Sequence, residues 1–367
     1  MTKDAVPSVV TLLRCIRLAI FLVFPSIAMA QTVSPWPEAN RLFHSDPLWL
    51  GGDAAFSVDL GNGRVLWMFG DSFIAQKAGN NGRAQTAFIR NSAAIETGYD
   101  PSTATLRFYE GHRDGHVADF MPPGAPGTWR WPMHGIRLGN KLLLFYMDLT
   151  PDLAKNSLGF RVAGWEPFMV ENPDADPSQW SIQPLAGFET HGQILVGMSV
   201  IREGDALYAF VLQNQTHDAY LLRWPLRDAA EGNLLHPQWW CGPVAGWCAD
   251  AKSREIVIHD AGPEFSVQEA PHGNGFVAIN NAGFGATTIV LRHAQNIEGP
   301  WSQPQFLYRP PESDVPGALV YAGKSHPELA GGDLVVTYVA NGPEARLAKD
   351  MSIYFPQFVR VSLPSGQ

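Results

Sequence analysis

The sequence predicts an all-β fold, a five-bladed β-propeller with four-stranded antiparallel blades. Three observations carry that expectation. Gly-rich hairpin signals recur five times, at Gly61-Asn62-Gly63, Gly139-Asn140, Glu203-Gly204-Asp205, Gly273-Asn274-Gly275 and Gly331-Gly332-Asp333. Each is followed by a short apolar run, at 65–69, 142–147, 206–212, 276–279 and 334–339, and such runs bounded by turn residues read as buried strands. Helical periodicity is scarce, the best stretch at 148–158 being short and polar. Turns roughly 55–80 residues apart match one sheet unit per repeat.

The chain opens with Lys3, Arg14 and Arg17, an apolar run at 18–28, and Ala28-Met29-Ala30, a small-residue cleavage pattern. Residues 1–30 therefore read as a secretory signal peptide, which directs the protein to the periplasm or outside the cell. The apolar run is too short to span a membrane comfortably. Without a polar linker or charge run to divide it, 31–367 reads as a single propeller domain, expected to be a monomer. A net charge of −9 with no basic cluster argues against nucleic acid as a partner, because phosphate contacts need a positive face. A neutral poly- or oligosaccharide suits such a surface. Beyond the leader the cysteines are Cys241 and Cys248, within Trp239-Trp240-Cys241-Gly242-Pro243-Val244-Ala245-Gly246-Trp247-Cys248. An exported protein can oxidise them to a small disulfide loop, two buried thiols being the other reading; zinc is disfavoured by the spacing.

Unit one runs from Trp49-Leu50-Gly51-Gly52-Asp53 through Leu60, turns, and returns as Arg64-Val65-Leu66-Trp67-Met68-Phe69-Gly70-Asp71. A third strand follows at 90–95 and a fourth at 105–109. Units two to five begin at Trp131-Pro132-Met133-His134, Ile194-Leu195-Val196-Gly197, Glu264-Phe265-Ser266-Val267 and Tyr321-Ala322-Gly323-Lys324-Ser325-His326. The alternating run at 354–363 could close the ring. If the strand before each hairpin is innermost, Asp53, His134, Ser199, Glu264 and His326 start near the axis. Two acids and two imidazoles there suggest a site, because burying a carboxylate costs several kcal/mol unless it is paired or hydrated.

Asp53 and Asp71 are equidistant from Asn62. A three-residue loop with Gly63 left-handed makes them cross-strand partners and pairs Phe56 with Met68 and Val58 with Leu66. A two-residue Asn62-Gly63 turn would instead put Asp71 on the opposite face. Two close carboxylates repel, so that one keeps its proton near neutral pH; an acid beside a base is what glycosidic cleavage requires. Asp53 is expected as base or nucleophile and Asp71 as proton donor or modulator, with Glu264 as a supporting acid. Candidate sugar contacts are Arg90, Asn91, Trp131, His134, Trp165, Glu166 and His326. Glu166 is also an alternative acid, with Trp165 as an apolar wall. Each has a plain structural alternative: turn aspartates, a strand-surface glutamate, hydrogen-bonded core histidines and packing tryptophans. No cofactor is required; a central Ca²⁺ is compatible with oxygen ligands near the axis, but no spacing demands one. Phosphate loop, nucleophile elbow, dinucleotide fingerprint and zinc helix motifs are absent.

Taken together, Trp49-Leu50-Gly51-Gly52-Asp53, Leu66-Trp67-Met68-Phe69-Gly70-Asp71-Ser72, Arg90-Asn91-Ser92, Trp131-Pro132, Glu264-Phe265-Ser266-Val267, Gly299-Pro300-Trp301-Ser302 and His326-Pro327-Glu328-Leu329 resemble a family of secreted bacterial five-bladed propellers, formerly a domain of unknown function, some of whose members are endo-D-arabinanases. That family is in turn similar in architecture to five-bladed arabinanases, xylosidases and levansucrases. The resemblance covers nearly all of the chain after the leader and implies that Asp53 and Asp71 occupy its paired acidic positions. Where a Gly-Asp step is expected after Trp-Pro, this chain has Met133-His134. The implied function is an exported glycoside hydrolase acting on a furanose-containing or related polysaccharide; a non-catalytic carbohydrate-binding propeller is the alternative.

Overall fold

Each of the five apolar runs becomes the second strand of an antiparallel sheet. In this computed structural model the described residues are 31–79, 82–154, 158–273, 275–283, 285 and 287–363. The leader reading of 1–30 and Asn274 of the fourth turn lie outside them. Strands make up 48% of the described residues and helices 10%. Among the described residues no helix is long and apolar enough to cross a membrane.

The first sheet orders Phe56–Gly61, Arg64–Phe69, Ser92–Thr97 and Thr105–Tyr109. Its hairpin takes the three-residue-loop register, with Phe56 opposite Met68 and Val58 opposite Leu66. Gly63 has a φ of +74°, a conformation open to glycine at little cost. The second sheet holds Trp129–Leu138, Lys141–Pro151, Phe160–Val170 and Ile182–Pro184. Residues 148–151, the start of the best helical candidate, continue its second strand instead, paired throughout with the third strand and at 148–149 with the first as well; 155–157 lie outside the described residues.

The third sheet departs from four strands. After Ile194–Glu203, Ala206–Gln213 and Ala219–Pro225 it gains Gln238–Trp240 and Trp247–Cys248, and Ile256–Ile258 also pairs with its third strand. The extra hairpin is the segment closed by the Cys241–Cys248 disulfide. Phe265–Glu269, Phe276–Ala282, Thr288–Ala294 and Gln305–Tyr308 form the fourth sheet. In the fifth, Leu319–Ser325, Leu334–Asn341 and Pro356–Ser362 are joined by Thr32–Pro35, so the outermost strand comes from the other end of the chain.

Adjacent first strands pack on one another, and polar side chains tie them. His134 Nε2 lies 3.1 Å from the Ser57 carbonyl, and its Nδ1 accepts from Val200 N at 3.0 Å. Ser199 Oγ accepts from Val267 N at 3.0 Å. Ser325 N donates to Ser266 Oγ at 2.7 Å. The series returns to the first sheet where His326 Nδ1 meets Ser57 Oγ at 2.6 Å. Between the sheets lie buried aromatics such as Trp67, Phe69, Phe145, Phe210 and Phe358. Burial of each such side chain contributes about 1.5–3 kcal/mol.

Candidate active site

The long first strand expected from Trp49 to Leu60 breaks where Asp53 sits. Trp49–Gly52 leaves the main sheet to pair with Ser72–Ile74, itself paired with Ala87–Ile89. At the break Ala54 and Ala55 have φ of +64° and +55°, a costly conformation for residues with a Cβ, of a kind that concentrates at functional sites. The register nevertheless carries through. Asp53 N donates to the Asp71 carbonyl at 3.4 Å, and Gly70 N donates to the Asp53 carbonyl at 3.1 Å. A Cβ at Gly70 would lie 2.5 Å from Asp53 Oδ1, so only glycine lets that carboxyl lie against the backbone.

The two carboxyls have different surroundings. Asp53 Oδ2 accepts from the hydroxyls of Tyr321 at 2.8 Å and Tyr354 at 3.1 Å. Asp71 accepts from Trp131 Nε1 at 2.9 Å and pairs with Arg90 Nη1 at 3.3 Å. Burial, with the charges of Asp71 and Glu264 adding to it, pushes Asp53 up to about 8. Burial also raises Asp71, to about 6, against the pull of Arg90 and the Trp131 hydrogen bond. The third carboxylate, Glu264, stands just before the fourth sheet and is paired with Lys324 Nζ at 2.7 Å. Asp53, Glu264, Trp131, Tyr321 and Asn341 line one cleft of about 330 Å³, with apolar walls from Phe160, Met147 and Leu319. Such a mostly apolar hollow with a few convergent polar groups is the expected form of a small-molecule site.

A family model described as a domain of unknown function, DUF5005, matches residues 38–363. The chain belongs to the DUF5005 family. No curated protein matches it. Among solved structures it is similar to a protein from Bacteroides ovatus whose name places it only provisionally among hydrolases, at 18% identity over 90% of both chains with a TM-score of 0.72. That likeness concerns the fold. Weaker matches include an α-L-arabinofuranosidase from Podospora anserina, 14% identical over 87% of this chain and 93% of that one, TM-score 0.47. Another is an endo-arabinase from Bacteroides thetaiotaomicron, 13% identical over 89% and 96%, TM-score 0.43.

The DUF5005 domain does not gather every residue expected at its site. Arg90 and Trp131 join Asp71, and the Arg90 guanidinium also lies 4.4 Å from the centre of the Trp129 ring. Asn91 does not offer itself to a sugar: it is 1% exposed and its amide bonds the backbone of Met121 and Arg130. His326, also 1% exposed, is held between Ser57 and Thr337 Oγ1. Burial and the neighbouring Lys324 and His134 push its pKa well down, leaving it a neutral core imidazole. Burial likewise lowers His134 to about 4, in keeping with its role as a tie between strands. Glu166 pairs with the buried Arg130 in a different cleft. Trp165 packs on Phe145 and Phe188 and donates to the Phe188 carbonyl at 3.0 Å, so it is a packing residue. Among the described residues no group of three His, Cys, Asp or Glu side chains is placed to hold a metal ion.

Sequence reasoning missed Tyr321, Tyr354 and Lys324. Lys324 carried a signal, as a lone cation in an otherwise apolar first strand. Tyr354 carried none, because it comes from the connection between Leu334–Asn341 and Pro356–Ser362, far from Asp53 in sequence.

Proposed function

We propose that this protein hydrolyses glycosidic bonds of a furanose-containing or related polysaccharide, in the manner of an exported five-bladed hydrolase of the endo-D-arabinanase type. Five sheets tied first strand to first strand support the reading as five blades, the third of them broadened by the disulfide hairpin. The observation that carries the chemistry is the unequal pair Asp53 and Asp71. At neutral pH Asp53, held up to about 8, keeps its proton while Asp71, at about 6, is ionised. Asp71 receives an indole N–H and a guanidinium, the partners of a carboxylate. The two phenol donors on Asp53 Oδ2 pull its pKa down without outweighing burial, and they leave Oδ1 to carry the proton.

These surroundings support the reverse of the roles expected from the sequence. Asp53 donates its proton to the departing glycosidic oxygen as the bond breaks, and Asp71 serves as nucleophile or draws a proton from water. Glu264 adds negative charge that favours the protonated form of Asp53. Trp131 and Phe160 supply ring faces on which a sugar can stack.

The test is product release from arabinan, D-arabinan, arabinogalactan, xylan and fructan by the purified protein. Folded protein that liberates no oligosaccharide from any of them would sink the proposal. A non-catalytic binder remains the second reading, motivated by Met133-His134. His134 does not line the cleft that holds Asp53, being taken up by Ser57 and Val200.

A further inference from the structure

Arg83 is a buried cation with no carboxylate within salt-bridge reach among the described residues, and its donors all point at backbone carbonyls. It is 3% exposed. Its Nε donates to the Leu50 carbonyl at 2.6 Å, Nη1 to Leu347 and Asp350 at 2.8 and 2.9 Å, and Nη2 to Ile353 at 2.7 Å. Leu50 belongs to the short strand that delivers Asp53, and the other three belong to the connection that delivers Tyr354. The guanidinium also lies 5.9 Å from the Tyr354 ring centre and 5.4 Å from that of Phe355. Burial lowers its pKa to about 10, so it stays charged through neutral pH.

The segment it grips is not relaxed. Tyr354 has a φ of +66°, costly for a residue with a side chain, and such a conformation persists only where surrounding contacts over-determine it. Gly51 completes the fit: a Cβ there would fall 2.3 Å from the Tyr354 carbonyl oxygen and 3.1 Å from Arg83 Nη2. At the far end of this connected set, Tyr354 Oη reaches Asp53 Oδ2 at 3.1 Å. A guanidinium fork that joins two backbone segments is pre-organised in a way that a lysine ammonium is not.

We propose that Arg83 is a positioning residue for Asp53, acting through Tyr354: it fixes the connection so that the Tyr354 hydroxyl occupies Oδ2 and directs the acid's reactive oxygen, Oδ1, to the cleft. The role of Asp53 as the acid rests on the glycosidase reading; the Arg83–Tyr354–Asp53 linkage does not. The titratable and charged groups that face Asp53 are Asp71, Glu264, Tyr321, Tyr354 and Lys324. Of these Tyr354 is the one Arg83 holds.

The test is carboxyl carbon-13 NMR titration of Asp53, in the full chain, for the parent, Arg83→Lys and Tyr354→Phe, with the resonance assigned by its loss in Asp53→Asn. Removing a donor to the carboxylate raises its pKa, so both variants should titrate higher than the parent, and the double variant no higher than either alone. Under the glycosidase reading kcat falls about tenfold, KM changes far less, and the basic limb of the pH profile moves up. Tyr354→Phe deletes one hydroxyl and keeps the ring, so it remains decisive if Arg83→Lys does not fold. An unmoved Asp53 titration in a folded variant of either kind overturns the proposal, leaving Arg83 a merely structural residue. A shifted titration in a protein that cleaves no glycan sinks the glycosidase reading and leaves the linkage standing.

Discussion

Lys324 of the fifth sheet holds Glu264, from the segment leading into the fourth, at 2.7 Å, with the lysine side chain only 2% exposed. The same ammonium donates to the carbonyls of Ala54 and Ala322 and lies 4.4 Å from the Phe56 ring centre. One buried cation thus joins three sheets immediately behind Asp53.

Breaking this pair from the lysine side leaves a partly buried carboxylate uncompensated. Lys324→Met is expected to lower unfolding stability by about 3 kcal/mol, read by urea denaturation. Glu264→Gln keeps an acceptor for Lys324 but removes a negative charge that raises Asp53. Its basic pH limb should move down, and a limb that stays in place would contradict the assignment of that limb to Asp53.

With Asp53 as the proposed acid and Asp71 as the proposed base or nucleophile, the pH profile should be a bell. It should rise through about 6 and fall through about 8, following the two raised values. Arg90 opposes the rise in Asp71. Arg90→Gln is therefore expected to move the acidic limb upward and leave the basic limb nearly where it was.

Replacing Asp53 by Asn should cut turnover by about 10³-fold while preserving oligosaccharide binding, measured by product release and calorimetry. The same change should stabilise the fold. A carboxyl raised from 3.8 to about 8 on folding binds its proton more tightly in the native state. Native stability therefore declines as pH rises between those values. The variant lacks that decline, so its melting temperature should exceed the parent's by a margin that widens from acidic to neutral pH.

Glu96 offers a control away from the cleft. It is fully buried, donates nothing in its ionised form, and accepts from Trp67 Nε1 at 2.7 Å. Burial pushes it up to about 8 from 4.5. By the same sign, Glu96→Gln should be more stable than the parent by an amount that grows as pH rises from about 5 to 8, with catalytic constants unchanged. A constant difference across that range would show that Glu96 does not change its proton binding on folding.

Much of the scaffold was legible because local signals agreed with one another. The turn glycines and the apolar runs behind them located all five second strands, but left the first hairpin between two registers, of which the structure takes the one that pairs Phe56 with Met68 and Val58 with Leu66. The break at Ala54 and Ala55 was not legible, since alanine carries no mark of positive φ; the tertiary contacts of Asp53 impose it. Asn91 and His326 misled for a related reason. A polar residue beside an apolar strand can face a ligand or satisfy buried backbone and hydroxyl groups, and sequence does not distinguish the two. Asp53 and Asp71 could be paired because one hairpin carries both. Tyr354 and Arg83 could not, because their meeting depends on two long connections that approach one another only in the finished fold.

Thr32–Pro35 lies alongside Pro356–Ser362, with Val33 opposite Val361. A ribosome makes the first of these segments hundreds of peptide bonds before the second. Thr32–Pro35 must wait without this partner until Pro356–Ser362 has been made, and loss of Pro356–Ser362 would set it loose as well.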